Sequence, residues 1–344
     1  MTSNHILVLV LLATLMPAPL EAQAATYRTE PVTYLNAEDG TELSATLAMP
    51  AARGPHPAVV VLSVAGTDPL VDHLVGEGYA VLTPTLRGFV AVEPLLQATY
   101  SDLAGDVRQA LDYLASREEV DGAALGLIAQ ADNGAPAMLV AASEGSVPLV
   151  LLAPPAFPGP EELRLEQRWI AERASAGAGE LEALDRYVAG IAEIVLGETA
   201  PYAREYRLRG LRAGSRVDLP PNAAFPSDEG QARFFASPLW HDRLAFEPET
   251  AFARLRSPVL VLIGTDDSRA PMDEYLSSVR RALAAGAHPD AIVCRIPGRT
   301  RHTFSVEGVS AIAEWLGERV GAGSGTREAG GRSPSVCLGD DETG

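Results

Sequence analysis

Short apolar runs alternate with helix-length stretches along most of the chain. Two runs of alternating character, 31–35 and 43–49, flank Asp39-Gly40, a dipeptide typical of hairpin turns. The next run, 58–62, is continuous and rich in valine, as expected for a strand that is covered on both faces of a parallel sheet. The pattern therefore predicts a hairpin that leads into a parallel sheet.

Helical and strand-like segments then alternate along the chain. The predicted pairs are helix 70–77 with strand 79–82, helix 102–114 with strand 124–128, and helix 135–142 with strand 149–152. The alternation resumes with strand 258–263, helix 273–285, strand 291–296 and helix 309–320. This order predicts an α/β fold with a doubly wound, mostly parallel sheet, whose ligands bind at the carboxyl ends of the strands.

The alternation of helices and strands is interrupted in the middle of the chain and is absent from its C-terminal end. Residues 157–250 carry helical pattern, most clearly at 163–172 and 181–194, and no comparable strand. We expect them to form a helical cap inserted into a core of residues 25–156 and 251–320. Residues 321–344 are rich in glycine, serine and charge without apolar period, which predicts a disordered tail.

The first 24 residues have the layout of a secretory signal peptide. An apolar run at 5–13 is followed by Ala22-Gln23-Ala24, a cleavage-type sequence, although no Lys or Arg precedes the run. The sequence predicts a secreted or periplasmic protein with no stable membrane association after cleavage, and a retained anchor is the alternative. Cys294 is expected to be a buried small hydrophobe, while a bridge to Cys337 is the alternative in an oxidising compartment.

The net charge of the chain restricts the class of ligand that it is expected to bind. The formal net charge of −18 disfavours nucleic acids and anionic lipid headgroups by repulsion. A small-molecule or peptide ligand is therefore expected. With two cysteines and no clustered histidines, the sequence has no metal-ligand spacing and implies no metal or organic cofactor.

Residues 120–134, VDGAALGLIAQADNG, have the layout of a strand, a sharp turn and a helix start. They resemble the turn that carries the nucleophile of a serine hydrolase, in which a serine stands in the pattern Gly-x-Ser-x-Gly. The matching positions are 129–133, so that Ala131 occupies the serine position and Asn133 the second glycine. Further resemblances are found in family order at 57–66, 78–89, 264–271 and 298–304.

Together these motifs resemble the α/β-hydrolase family over roughly residues 30–320, most closely secreted bacterial esterases and peptidase-like members with a helical cap. The resemblance implies that Asp267 is the carboxylate of a catalytic triad, with its neighbour Asp266 as the alternative, and that His302 is the base. It assigns Val64, Ala65 and Asp132 to the oxyanion loop. A structural hydrogen-bonded pair is the other interpretation of Asp267 and His302.

The departures from the family pattern bear on activity. Ala131 cannot attack a carbonyl, and Val64 stands where the oxyanion loop usually has glycine. Asn133 replaces a glycine, and Thr85 replaces the customary aspartate before Leu86-Arg87-Gly88. These changes predict a protein of carboxylic-ester hydrolase type that is impaired or inactive as a serine hydrolase.

Two other readings of the function stay open. The protein could be an active hydrolase, either through Asp132 as an aspartate nucleophile in a shifted turn or through Ser63 at a strand end. Otherwise Asp132 is a surface residue that is favourable at a helix N-terminus. The second alternative is a ligand-binding or interaction scaffold.

The insert contains a cluster of arginines that either forms a solvated helix face or anchors an anionic ligand. The cluster comprises Arg204, Arg207, Arg209, Arg212 and Arg216.

Overall fold

Eight strands form one mixed sheet in the computed structural model, which describes residues 27–63, 68–85, 87, 92–215, 217, 228–267, 271–298, 304–320, 334, 335 and 337. The strands are β1 (Tyr27–Leu35), β2 (Glu42–Pro50), β3 (His56–Leu62), β4 (Ala80–Thr85), β5 (Val120–Gln130), β6 (Leu149–Leu152), β7 (Val259–Gly264) and β8 (Ala291–Ile296). Their order is β1-β2-β4-β3-β5-β6-β7-β8. Strand β2 runs antiparallel to β1 and β4, and the remaining neighbours are parallel.

The helices of the described residues follow the predicted alternation. They are α1 (Asp68–Gly76), α2 (Val92–Gln97), α3 (Tyr100–Ala115), α4 (Gly134–Glu144), α5 (Gly159–Arg173), α6 (Ala178–Gly197), α7 (Pro201–Gly214), α8 (Asp228–Ala236), α9 (Pro238–Ala245), α10 (Pro248–Arg254), α11 (Met272–Ala285) and α12 (Val306–Arg319). The predicted fold class, a doubly wound and mostly parallel sheet with an inserted helical cap, is confirmed.

Strand β3 shows why the central apolar runs lack polar alternation. Its residues Ala58, Val60 and Leu62 belong to the core that includes α3, α4 and α11, whereas Val59 and Val61 belong to the opposite core with α1 and α12. All five are buried, because helices cover both faces of the sheet. The sequence predicts such a strand, and its parallel pairing with β4 and β5 agrees.

Helices α5 to α10 lie between β6 and β7. Helices α5 to α9 have a core of their own, centred on Phe235 and Trp240, whereas Ala251 and Phe252 of α10 belong to the core under the sheet. The sequence predicts only the first two of these helices. Helices α7, α9 and α10 each have a proline in the first turn. In the sequence such a proline suggests a helix break. It is tolerated in the first turn because the backbone N–H groups of that turn have no intrahelical partner. Chain packing is tight where the cap begins: a Cβ on Gly159 would lie 2.3 Å from the carbonyl oxygen of Arg243.

A buried ion pair ties the turn after β4 to helix α3 and the first hairpin. The Arg87 guanidinium donates to both carboxylate oxygens of Asp106, with Nε at 2.6 Å from Oδ2, and it also pairs with Asp39 at 2.9 Å. Asn36 donates to Asp106 Oδ1 at 2.8 Å. Because Asp106 is 5% exposed, these three donors replace the water that its carboxylate loses.

A disulfide joins Cys294 of β8 to Cys337. The alternative interpretation of the two cysteines is thus the one observed. The bridge also places part of the segment 321–344, predicted to be a disordered tail, against the core: Ser335 donates through both its N–H and its hydroxyl to Glu314 of α12, at 2.9 Å each.

The predicted signal peptide, residues 1–24, lies outside the described residues. In the part of the chain that is described, no helix is long and apolar enough to cross a membrane.

Replacing the buried carboxylate should destabilise the protein strongly. We expect Asp106→Ala to lower the free energy of unfolding by about 3–5 kcal/mol, since it leaves the Arg87 guanidinium, 11% exposed, without its main partner. Urea unfolding followed by circular dichroism measures the effect. Asp112→Ala, on the exposed side of the same helix, is the matched control and should cost less than about 1 kcal/mol. Equal losses in the two variants would contradict the role assigned to Asp106.

The disulfide closes a loop with a sequence separation of 43 residues. We expect Cys337→Ala to lower the free energy of unfolding by about 2–4 kcal/mol, because the unfolded chain regains the freedom of that loop. Thermal unfolding of oxidised and reduced wild type should show the same loss, and reductant should leave the variant unchanged. A wild type that is insensitive to reductant would show that this bridge contributes nothing.

Candidate functional site

The sequence at 129–133 forms the sharp strand-to-helix turn that its pattern predicts. Strand β5 ends at Gln130, residues 131–133 form one turn of 3-10 helix, and α4 begins at Gly134. Ala131 has φ of +55°, a left-handed conformation that an alanine adopts at a cost of roughly 1–2 kcal/mol. The surrounding strand and helix therefore impose on residue 131 the strained backbone that is typical of a nucleophile position.

The same geometry bears on the register of the turn. The left-handed residue is Ala131, the first residue of the 3-10 turn, and Asp132 is the middle residue of that turn and has no positive φ. The Asp132 carboxylate is 3.3 Å from the Arg243 guanidinium of helix α9. This arrangement favours a turn centred on residue 131 and gives Asp132 an ion-pairing role beside it.

Ser63, the other alternative nucleophile, follows β3 at the same edge of the sheet. Strand β3 pairs with β5 up to Leu62 and Ala129, so that Ser63 lies beside Gln130. The Ser63 hydroxyl donates to Gln130 Oε1 at 2.7 Å. A neutral amide oxygen cannot remove the proton of that hydroxyl, so this contact does not activate Ser63. Val64 and Ala65, the expected oxyanion-loop residues, lie outside the described residues.

Asp267 lies in the turn that follows β7. Its carboxylate accepts from the N–H of Gly264 at 3.1 Å, which closes the turn. The neighbouring Asp266 donates its N–H to the carbonyl of Gly298 at 2.9 Å, and its side chain is exposed. The turn is thereby held against Gly298, four positions before His302 in the sequence. His302 itself lies outside the described residues.

The sheet order brings Ala131 and Asp267 to one edge. They follow β5 and β7, which flank β6, so their strands are separated by about 10 Å at a spacing of nearly 5 Å per strand. A histidine side chain between them could span such a separation. The structure thus gathers two of the three predicted triad positions at the carboxyl ends of the parallel strands.

The cap contributes a buried arginine that sequence reasoning does not identify. Arg243 Nη2 lies 2.9 Å from Glu166 and 3.3 Å from Asp132, and the guanidinium stacks on Trp240 at 4.5 Å. Burial disfavours its charge, but the carboxylates of Asp132 and Glu166 hold the pKa of Arg243 above its ordinary value. Because Glu166 is on α5 and Asp132 is beside Ala131, this one side chain connects the cap to the turn. No spacing in the sequence relates the three residues.

Two further groups lie beside this cluster. Glu162 accepts weakly from the N–H groups of Ala156 and Phe157, at 3.3 and 3.4 Å, in the loop after β6. The Asn133 amide nitrogen is buried, and no hydrogen-bond partner for it is found among the described residues. A buried donor of that kind next to Ala131 is suited to meeting a polar ligand atom.

The predicted arginine cluster divides into different roles. Arg204 is buried and donates to the carbonyls of Glu198, Thr199 and Ala236, which are free because α6 and α8 end there. The expectation of a solvated face is therefore wrong for Arg204, which stabilises helix ends. Arg209 pairs with Glu205, and Arg212 donates to the carbonyl of Val217 at 2.8 Å.

Arg207 is exposed, and Arg216 lies outside the described residues.

Across the described part of the chain, no group of three or more His, Cys, Asp or Glu side chains is arranged to hold a metal ion.

Solved structures with a similar fold include several hydrolases. A 2,6-dihydroxy-pseudo-oxynicotine hydrolase is 17% identical, with 88% of this chain and 70% of that chain covered and a TM-score of 0.52. An esterase of Pyrococcus furiosus is 14% identical over 86% of this chain and 92% of that one, with a TM-score of 0.56. A fungal esterase from Rhizomucor miehei is 13% identical over 86% and 84%, with a TM-score of 0.50.

These similarities, together with the strand order and the position of the cap, show that the chain has the α/β-hydrolase fold. Esterases and other hydrolases share this fold. No protein-family model matches the sequence, and no curated protein matches it significantly.

The Arg243 cluster should govern the stability of the cap. We expect Arg243→Met to lower the free energy of unfolding by about 3 kcal/mol, because Glu166, 9% exposed, is left as an uncompensated buried charge. Adding Glu166→Gln should recover part of that loss. Arg186→Met, whose side chain is 72% exposed, is the control and should be near neutral.

Urea unfolding of the single and double variants measures the coupling between the two residues. Additive effects of the two substitutions would show that the contact does not hold the cap.

Proposed function

We propose that the protein is an exported member of the α/β-hydrolase class, descended from carboxylic-ester hydrolases, that lacks serine-hydrolase turnover and binds a small acyl or peptide ligand beneath its cap. The observation that carries this proposal is the left-handed backbone at Ala131. The turn keeps the conformation that displays a nucleophile, while the side chain there is a methyl group. Asp267 and the fold-level likeness to esterases support the ancestry.

Retention of the costly backbone argues for a site that still has a use. A conformation that costs roughly 1–2 kcal/mol persists only when its surroundings impose it. Here the surroundings include Arg243, which links the turn to the cap through Asp132. The buried Asn133 amide nitrogen supplies a donor for a ligand at the same place. A binding role uses this preorganised turn without requiring an attacking oxygen.

Export is part of the proposal. The disulfide between Cys294 and Cys337 supports it, because such bridges persist in oxidising compartments. The apolar run at 5–13 followed by Ala22-Gln23-Ala24 supports it independently.

Comparison of wild type with Ala131→Ser tests the activity. Wild type should hydrolyse p-nitrophenyl acetate no faster than background and should resist labelling by a fluorophosphonate. Restoring a hydroxyl in the strained turn should raise the rate at least about tenfold, since the nucleophile works only together with its base and orienting acid. The reagent should then label position 131.

Three further variants separate the alternatives. Adding Asp267→Ala to Ala131→Ser should abolish most of the gain if Asp267 orients the base. Asp132→Asn in the wild-type background should change nothing, whereas loss of a measurable wild-type turnover would identify Asp132 as a nucleophile. Labelling of wild type at Ser63, removed by Ser63→Ala, would overturn the proposal in favour of an active serine hydrolase.

A further inference from the structure

A second groove lies on the flank of the molecule, between the core helices and the end of the cap. It has a volume of about 760 Å³, within the range of small-molecule sites. One wall comes from the start of α3 and from α4, and the other from α9, α10 and the segment that joins them. Its α4 residues Met138 and Leu139 lie seven and eight positions beyond Ala131, which is roughly 10–12 Å along the helix. The groove is therefore distinct from the site at the turn.

The α10 wall has a regular arrangement of charge. Thr250, Ala251 and Arg254 of the helix line the groove, together with Glu247, the extended residue that precedes the helix, and spacings of three, four and seven residues bring the four to the same side. Glu247 and Arg254 are two turns apart, about 10 Å at 1.5 Å per residue. This wall thus presents a carboxylate at one end, a guanidinium at the other and a hydroxyl between them.

Both charged groups are available to a ligand. Glu247 and Arg254 are exposed, and no ion pair or hydrogen bond engages either side chain within the described part of the chain. Asp242, which also lines the groove, is already occupied, because its carboxylate accepts from the backbone N–H of Tyr100 at 2.9 Å. Arg256 adds a second guanidinium to the lining.

The opposite wall and the floor are mostly apolar, with Ser101 and Ser143 as the polar residues contributed by α3 and α4. Leu139 is 36% exposed on the rim, and it is one of the large hydrophobic side chains that the described surface leaves open. Ala142 lies one turn further along α4, and Phe246 packs edge-on against Tyr100 at 5.7 Å below the groove. An apolar side chain of a ligand would find a complementary surface here.

We propose that this groove binds a short peptide with free termini, about three residues long. Three extended residues span about 10 Å, which is comparable to the distance along α10 between the backbone positions of Glu247 and Arg254. The ammonium group meets Glu247, the carboxylate meets Arg254, and an apolar central side chain lies on Leu139 and Phe246. A simple carboxylic acid is less complementary to this groove. At the end away from Arg254, the carboxylates of Glu247 and Asp242 would repel its negative charge.

Titration with the tripeptide Ala-Leu-Ala, followed by calorimetry and NMR, tests the proposal. With free termini it should bind saturably, with a dissociation constant on the order of 1 mM or below, because exposed ion pairs are individually weak. The same peptide with an acetylated N-terminus and an amidated C-terminus should bind at least about tenfold more weakly. Equal binding of the two forms, or no saturation by about 10 mM, would overturn the proposal.

Charge reversal locates the site and tests its polarity. Glu247→Arg and Arg254→Glu should each weaken binding at least about fivefold, since each places like charge against one terminus of the peptide. The double variant Glu247→Arg/Arg254→Glu should restore binding, because a peptide can enter a reversed groove in the opposite direction.

Glu249→Arg is the matched control: it makes the same charge change on α10 at a position that does not line the groove, and it should leave binding unchanged. Single variants that bind as wild type would place the peptide elsewhere. A folded double variant that fails to recover would refute the polar arrangement.

Discussion

Burial of both faces of the central strands is the constraint on which the rest of the structure depends. Strands β6 and β7 are buried along their whole length, and the apolar part of β3 is sandwiched between two separate cores. Parallel strands of this kind are joined by crossover helices. All of their carboxyl ends therefore lie at one end of the sheet and all of their amino ends at the other. Ser63, Ala131 and Asp267 each follow a parallel strand, and for that reason they lie at the same end of the sheet, where the carboxyl ends of those strands are. The cap enters at the same edge, after β6.

The sequence predicts this part of the molecule well because the signal is repeated and local. Apolar runs such as 58–62 and 149–152 identify buried strands directly, and the small residues at 129–133 identify a sharp turn. The cap is harder to predict because several of its helices begin with prolines, and because α5 to α9 pack on one another and not on the sheet. Periodicity over seven or eight residues is too short to distinguish a helix start from a loop.

Contacts between distant residues account for what sequence reasoning missed in the site. Arg243, Glu166 and Asp132 come from three elements separated by up to 111 positions, and their contact depends on the path of the cap. Composition groups Arg204 with Arg207 and Arg209, which are exposed, whereas Arg204 is buried and donates to carbonyls at two helix ends. The pairing of Cys294 with Cys337 likewise rests on geometry, since two cysteines alone do not reveal whether they meet.

The disulfide also changes what a protease can achieve. Because Cys337 is bonded to β8, a cut in the chain between residues 321 and 333 would not release the end of the protein. The severed piece would stay attached to the core, and Ser335 could keep its contacts with Glu314. Such a nick would add only the mass of one water under non-reducing conditions, and the two pieces would separate only after the bridge is reduced. In an environment that contains proteases, this covalent link makes the C-terminus tolerant of cleavage.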